Sequence, residues 1–269
     1  VGDQLIGISL AHLRRSGGHA VALWLMGHFD SSALSNANTW GKPYFKITTW
    51  MLPDAQSTKP DGTVRRSCRS SKAGLDPRVE ADAEDGFALS KDLMIVSYED
   101  PNLDLWFPDR WSEVFPSASS HHRLLVVRSF YNHIASRIAY MRTRTVFAHP
   151  GYTPVSIEWW KQHAKESLVH PMYKVVLFDR WFSSSEYRRD LEEQLALPHN
   201  DRHLSTVGSD GSGSSFDKTS MNGNAQDMNV LQRWKAVDFP AEVLADDEAR
   251  ELNLSLFGWA LDKDGAYIT

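Results

Sequence analysis

Five short apolar runs punctuate the chain: Leu5–Leu10, Tyr44–Thr48, Leu93–Ser97, Leu124–Val127 and Lys174–Phe178. Each is β-branched or Leu-rich and shows little alternation, the pattern of strands buried on both faces of a parallel sheet. Between them, Ala20–Phe29, Tyr131–Met141, Ser156–Ser167 and Ser184–Leu195 predict helices. The last opens on Ser184-Ser185-Glu186, a hydroxyl cap followed by an acid in the first turn. Strand alternating with helix predicts an α/β fold, a central mostly parallel sheet flanked by helices. Two segments break the pattern. Asp54–Glu84 is rich in Ser, Asp, Lys, Arg and Pro and predicts a long mobile loop. Gly208–Asn224 is Gly, Ser and Asn in bulk, the composition of a flexible linker. A linker should lead to a second apolar core, yet only a modest Met228–Trp234 helix and a short tail follow it. Residues 1–269 therefore read as one domain with a mobile insertion around 54–90.

Composition narrows the picture. The 269 residues are 42% hydrophobic, enough for a sizeable core, and carry a formal net charge of -5. That balance makes no electrostatic glove for nucleic acid, so any anion site must be built from local basic residues. Cys68 is alone, which rules out an internal disulfide framework and a cysteine metal site, and fits a reducing, cytoplasmic setting. No stretch approaches the roughly 20 apolar residues of a membrane span. No helical His pair of metal-binding spacing stands out among the eleven His, so no metal is expected. The ten Trp serve packing first, with an aromatic-lined cleft as the alternative.

The chemistry concentrates where the first strand meets the first helix, at Arg14-Arg15-Ser16-Gly17-Gly18-His19-Ala20. A glycine turn between a strand and a helix presents backbone N–H groups at a helix N-terminus, where an anion is stabilised. Two arginines and a hydroxyl add donors, so a phosphate or sulfate is the expected ligand. The turn lacks the Gly-Lys-Ser/Thr ending of a nucleotide triphosphatase, and Gly41-Lys42 runs into Pro43. A dinucleotide fingerprint is absent as well. A second element follows Leu124–Val127, where Arg128 stands at the strand's carboxyl end and Ser136 lies eight residues on, in the next helix. The planar fork of an arginine suits a phosphate clamp at that place. A surface Arg and a helix Ser are also individually common.

In order and spacing, these residues resemble the sulfotransferases that use 3′-phosphoadenosine 5′-phosphosulfate (PAPS). The resemblance runs from about residue 5 to 235 and aligns nothing across 54–90. It implies the P-loop-like sulfotransferase fold, with PAPS as co-substrate and adenosine 3′,5′-bisphosphate (PAP) as product. It implies that Arg14, Arg15, Ser16, Gly17, Gly18, His19 and Ala20 hold the 5′-phosphosulfate, and that Arg128 and Ser136 hold the 3′-phosphate. It turns the linker reading around, since Gly211, Ser212, Gly213, Ser214, Ser215 and Phe216 look like the loop that closes over the nucleotide. Val175–Leu197 resembles the strand and helix that precede that loop. The chain also departs from the pattern. Gly18 and His19 stand where small hydroxyl residues are usual, and the Lys-Thr-His segment of cytosolic members has no direct match. Its place is taken by Met94–Asp100.

Sulfuryl transfer needs a cation at the leaving oxygen and a base at the acceptor, and the expected assignments are Arg15 and Glu99, with His19 as a further catalytic candidate. His28 and Asp30 are rival bases, and Glu99 equally fits a solvated loop acid. Phe216 and Trp181 are candidates for stacking on adenine, with core packing as the equal alternative. By elimination the acceptor enters between 54–90 and Thr143–Trp160, near Phe147, Tyr152, Trp159 and Trp160. The expected partner is a small-molecule, lipid or glycan acceptor with a hydroxyl or amine; oligomeric state is left open. A kinase-like phosphotransferase and a non-catalytic nucleotide-binding protein are the alternatives.

Overall fold

The computed structural model describes residues 5–29, 32–38, 49–58, 64–70, 92–101, 103, 119–142, 152–207 and 224–269. In chain order the elements are β1 (Ile6–His12), α1 (Gly18–Met26), β2 (Ser32–Asn38), β3 (Thr49–Thr58), β4 (Val64–Ser70), β5 (Leu93–Glu99) and β6 (Ser120–Val127). They continue as α2 (Phe130–Arg142), α3 (Tyr152–Val169), β7 (Lys174–Leu177), α4 (Phe178–Ser183) and α5 (Ser185–Gln194). The C-terminal part holds α6 (Ala241–Leu244), α7 (Asp247–Phe257), β8 (Ala260–Leu261) and β9 (Tyr267–Ile268).

The seven-stranded sheet has the order β4-β3-β2-β5-β1-β6-β7. The pairs β2–β5, β5–β1, β1–β6 and β6–β7 are parallel, while β3 and β4 add on antiparallel. The expected α/β architecture is therefore present. Side chains alternate across the sheet, so β6 sends Leu124 and Val126 into one core and Leu125 and Val127 into the other. The first core is completed by Val21, Trp24 and Leu25 of α1, Trp181 of α4 and Leu191 of α5. The second is completed by Phe130, Tyr131 and Ile134 of α2, Trp160 of α3 and Leu256 of α7. Two covered faces explain why these strands read as continuous apolar runs.

Several boundaries move. Strand β7 stops at Leu177, and Phe178 opens α4, a helix the sequence pattern did not separate from its strand. Positions 54–58 and 64–70, read as loop from composition, lie in strands β3 and β4, which pair with a register shift between Met51 and Gln56. The rest of 54–90 and Tyr44–Thr48 lie outside the described residues. The expected Met228–Trp234 helix is replaced by 3-10 turns at Ala225–Asp227 and Arg233–Ala236. The physical reason is tertiary: the carbonyls of Val230 and Leu231 accept from the side chains of Arg128 and Asn132, so they cannot serve a helix. The tail is longer in structure than expected. Helix α7 is capped by Asp246 and stopped by Gly258, and its buried Asn253 accepts from the Phe130 N–H at 2.7 Å. That bond fastens the C-terminal helix to the start of α2.

Candidate functional site

A parallel sheet gathers the carboxyl ends of its strands along one edge, and ligands of such sheets bind there. Here that edge carries the turn after β1, the Glu99-Asp100 end of β5, Arg128 after β6 and Phe178 after β7. Residue His12 is the register partner of Glu99, so turn and carboxylate start side by side.

Within the turn, Arg15 has φ 71° and Gly17 has φ 93°, both left-handed. Glycine is needed at 17 for a second reason: a Cβ there would lie 2.1 Å from the Phe178 ring. At 18 a Cβ would lie 2.2 Å from the His12 ring, so the helix start presses on a buried histidine. Gly17 and Gly18 open α1 with amides that have no acceptor inside the helix. Three of the expected donors are occupied within the turn itself. The Ser16 hydroxyl and amide both donate to the Leu13 carbonyl, at 2.7 and 3.1 Å, and the Ala20 amide donates to Gly17.

The arginines separate in role. The Arg14 amide donates to Asp100 Oδ1 at 2.8 Å, and its Nε donates to Glu99 Oε2 at 3.2 Å. Arg14 is thus spent on tying the turn to β5. Asp100 also accepts from Arg137 of α2 at 2.5 Å, and is itself left-handed at φ 49°. The Arg15 guanidinium lies 4.1 Å from the Tyr140 ring centroid. Burial, with Arg233 nearby, pushes that guanidinium below its usual pKa, and Tyr140 and Glu99 oppose the shift.

Glu99, the base expected from the sequence, is the last residue of β5, and its Oε1 lies 4.0 Å from His19 Nδ1. Burial pushes its carboxyl up, but His12, His19 and Arg14 outweigh burial and hold it below the usual range. His12 itself is lowered to about 4 by burial, so at neutral pH it carries no charge toward Glu99, whereas Arg14 does. His12 is 1% exposed and lies 2.7 Å from Ser97 Oγ, a position beneath the turn.

Across the edge, Arg128 is buried and donates to Ser136 Oγ at 3.2 Å and to the Arg15 carbonyl at 3.1 Å. The structure therefore brings the turn, Arg128 and Ser136 together. It also adds Arg233, which donates to the same Ser136 Oγ at 2.8 Å. Sequence reading did not single out Arg233, since it lay in an expected helix with no motif around it. Asp179 supports this corner: it accepts from the Ser129 amide and hydroxyl, at 2.9 and 2.6 Å, and from Asn132 at 3.0 Å. The Trp160 indole donates to the Arg128 carbonyl at 2.7 Å and is buried, so it fastens the corner and does not line a cleft. Trp181 is equally buried, edge-on to Trp24 at 5.8 Å, and is core. His28 follows α1 at the end away from the turn, which removes it as a rival base.

Gly211 to Phe216, Asp30 and Phe147 lie outside the described residues. Thr206 and Asn224 form a bridge, so the chain on either side of the glycine-rich stretch meets at its base. Among the described residues, no helix is long and apolar enough to cross a membrane.

The sheet with its glycine turn after the first strand has the sulfotransferase fold, as comparison with a solved structure shows. The mouse sulfotransferase SULT7A1, in a structure complexed with PAP, matches with a TM-score of 0.50 at 12% identity, over 94% of this chain and 86% of that one. The sulfotransferase domain of the Synechococcus PCC 7002 olefin synthase aligns with a TM-score of 0.47 at 12% identity, over 97% and 96% of the two chains. No protein-family model and no curated protein matches the sequence.

Proposed function

We propose that the protein is a PAPS-dependent sulfotransferase acting on a hydroxyl or amine of a small-molecule, lipid or glycan acceptor. The observation that carries this reading is the corner formed by the anion turn, Arg128, Ser136 and Arg233 at the carboxyl edge of a sulfotransferase-fold sheet. Buried guanidinium groups around one hydroxyl suit a phosphate, which offers each of them an oxygen acceptor. A glycine helix start suits a second phosphate a short distance away. The donor set thus fits a nucleotide with two separated phosphates better than a triphosphate chain.

In the proposed reaction the acceptor oxygen attacks sulfur while the bond from sulfur to the bridging phosphate oxygen breaks. PAP leaves with that electron pair, and the acceptor proton passes to Glu99. Arg15 and the α1 amides offset charge growing on the leaving oxygen. Arg14 keeps Glu99 ionised at neutral pH, which readies it to accept a proton while lowering its strength as a base.

Calorimetric titration with PAP tests the reading. PAP binds the parent protein, and Arg128→Ala weakens it at least about tenfold, the loss of a charge-assisted hydrogen bond of about 1.5–3 kcal/mol. With PAPS and a panel of alcohols, phenols, amines and sugars, Glu99→Gln lowers turnover about 10²–10⁴-fold at unchanged PAP affinity. Absence of PAP binding refutes the proposal. Binding without transfer to any acceptor favours the non-catalytic nucleotide-binding reading.

A further inference from the structure

Away from the sheet edge, α5 and the segment after it bring together Glu192, His199 and Asp201, whose ligand atoms all lie within 4.8 Å of one another. We propose that these three side chains form a site for a divalent transition-metal ion of the zinc class. One imidazole and two carboxylates match the borderline ligand preference of such ions, and three protein ligands leave a fourth position to water.

The geometry around each ligand supports this. Glu192 is 1% exposed, and its Oε1 accepts from the Asn200 amide at 3.0 Å and lies 2.8 Å from His28 Nε2. Those two contacts aim Oε2 at His199 Nδ1, which is 2.6 Å away. A histidine on the far oxygen of a ligating carboxylate is the kind of outer partner that orients metal ligands. Asp201 is fixed by Arg188, whose Nε and Nη2 donate to it at 2.8 and 2.7 Å. Asn200 and His28 fill Glu192 Oε1, while Oε2, facing His199, keeps a second lone pair for an ion. His199 and Asp201 have side chains 40% and 30% exposed, which gives an entry path. A tetrahedral zinc site sets donors about 3.3 Å apart, so His199 Nδ1 and Glu192 Oε2, now 2.6 Å apart, must separate by about 0.7 Å to share the ion.

The ion would join α5 to the segment that runs on to Thr206, the residue paired with Asn224 at the base of the glycine-rich stretch. Asn200 Nδ2 also donates to the Gly27 carbonyl, so the same segment is tied to the end of α1.

The test uses the tag-free full chain after stripping with a chelator. Co²⁺ titration should give one equivalent with the visible absorption of a tetrahedral site, and Zn²⁺ should raise the melting temperature reversibly with chelator. His199→Ala should abolish the absorption. Asp201→Asn, a milder change, should weaken binding, and His28→Asn should weaken it about 10–100-fold. Circular dichroism confirms that each variant is folded. No Co²⁺ absorption and no Zn²⁺-dependent shift in the parent protein overturns the proposal. So does an absorption band that survives both His199→Ala and Asp201→Asn, which would place the ion on other histidines.

Discussion

Asp100 makes the sharpest demand on the structure. Its carboxylate is completely buried, and it accepts from the Arg14 amide at 2.8 Å and from Arg137 at 2.5 Å, while its own amide donates to the His12 carbonyl at 2.9 Å. It therefore joins β5, the glycine turn after β1 and α2 at one point. Asp100→Asn keeps the shape, tolerates the φ of 49° and can still accept from Arg14, but removes the charge facing Arg137. Losing a hydrogen bond to a charged group costs about 1.5–3 kcal/mol. Asp100→Ala breaks the buried ion pair outright, at about 3–5 kcal/mol, and removes the polar side chain that favours a left-handed φ. At about 2–4 °C per kcal/mol for a chain of this size, Asn should lower the melting temperature by about 3–12 °C and Ala by more. Urea unfolding at pH 7 measures both, with the midpoint moving at constant slope. An Asn variant within about 0.5 kcal/mol of the parent would refute the assignment of Asp100 as the clamp of the turn, since ordinary surface substitutions fall in that range.

Gly18→Ala should cost about 1–3 kcal/mol by overpacking, because the His12 ring that a Cβ would meet at 2.2 Å is held by Ser97 and the Leu13 carbonyl; a neutral effect in urea unfolding contradicts this. Acid should destabilise the protein before its carboxylates titrate. His12, His133 and His163 are buried, and burial lowers all three, His12 to about 4 and His163 to about 3. Their unfolded forms protonate near pH 6.5 while the folded forms stay neutral, so the unfolded chain binds more protons and stability falls as pH drops from about 6.5 toward 4. Each contributes a slope of up to about 1.4 kcal/mol per pH unit, and unfolding free energies at pH 7, 6 and 5 should lose one such share in His163→Gln. A pH-independent stability across that range counts against the burial of these rings.

Local pattern carried the sequence reading a long way in some places and failed in others. Strands β1, β5, β6 and β7 were legible because both faces are covered, which leaves uninterrupted apolar runs. Helix α5 was legible because Ser184 does cap it, accepting from the Tyr187 amide at 3.1 Å. Strand β2, Ser-Ala-Leu-Ser-Asn-Ala-Asn, and strands β3 and β4, rich in Ser, Thr, Gln and Arg, carry no such run. Sheet pairing, not local preference, makes them strands. Arg233 is an ordinary cation in sequence, and bonds of Arg128 and Asn132 to the Val230 and Leu231 carbonyls, with the Trp234 amide on Asn132, hold its segment beside Ser136.

By itself the sequence determined the alternating α/β order, the glycine helix start and the Arg128–Ser136 spacing, because each is set by short-range geometry: side-chain period, left-handed φ and helix rise. The tertiary structure decided which arginine does what. Arg14 pairs with Glu99, Arg15 stacks on Tyr140, and Arg128 and Arg233 converge on Ser136. It likewise made Trp160 and Trp181 core and gathered His28, Glu192, His199 and Asp201. Those outcomes depend on contacts between residues far apart in the chain, and on which face of a packed element each side chain meets, and neither is written in local pattern.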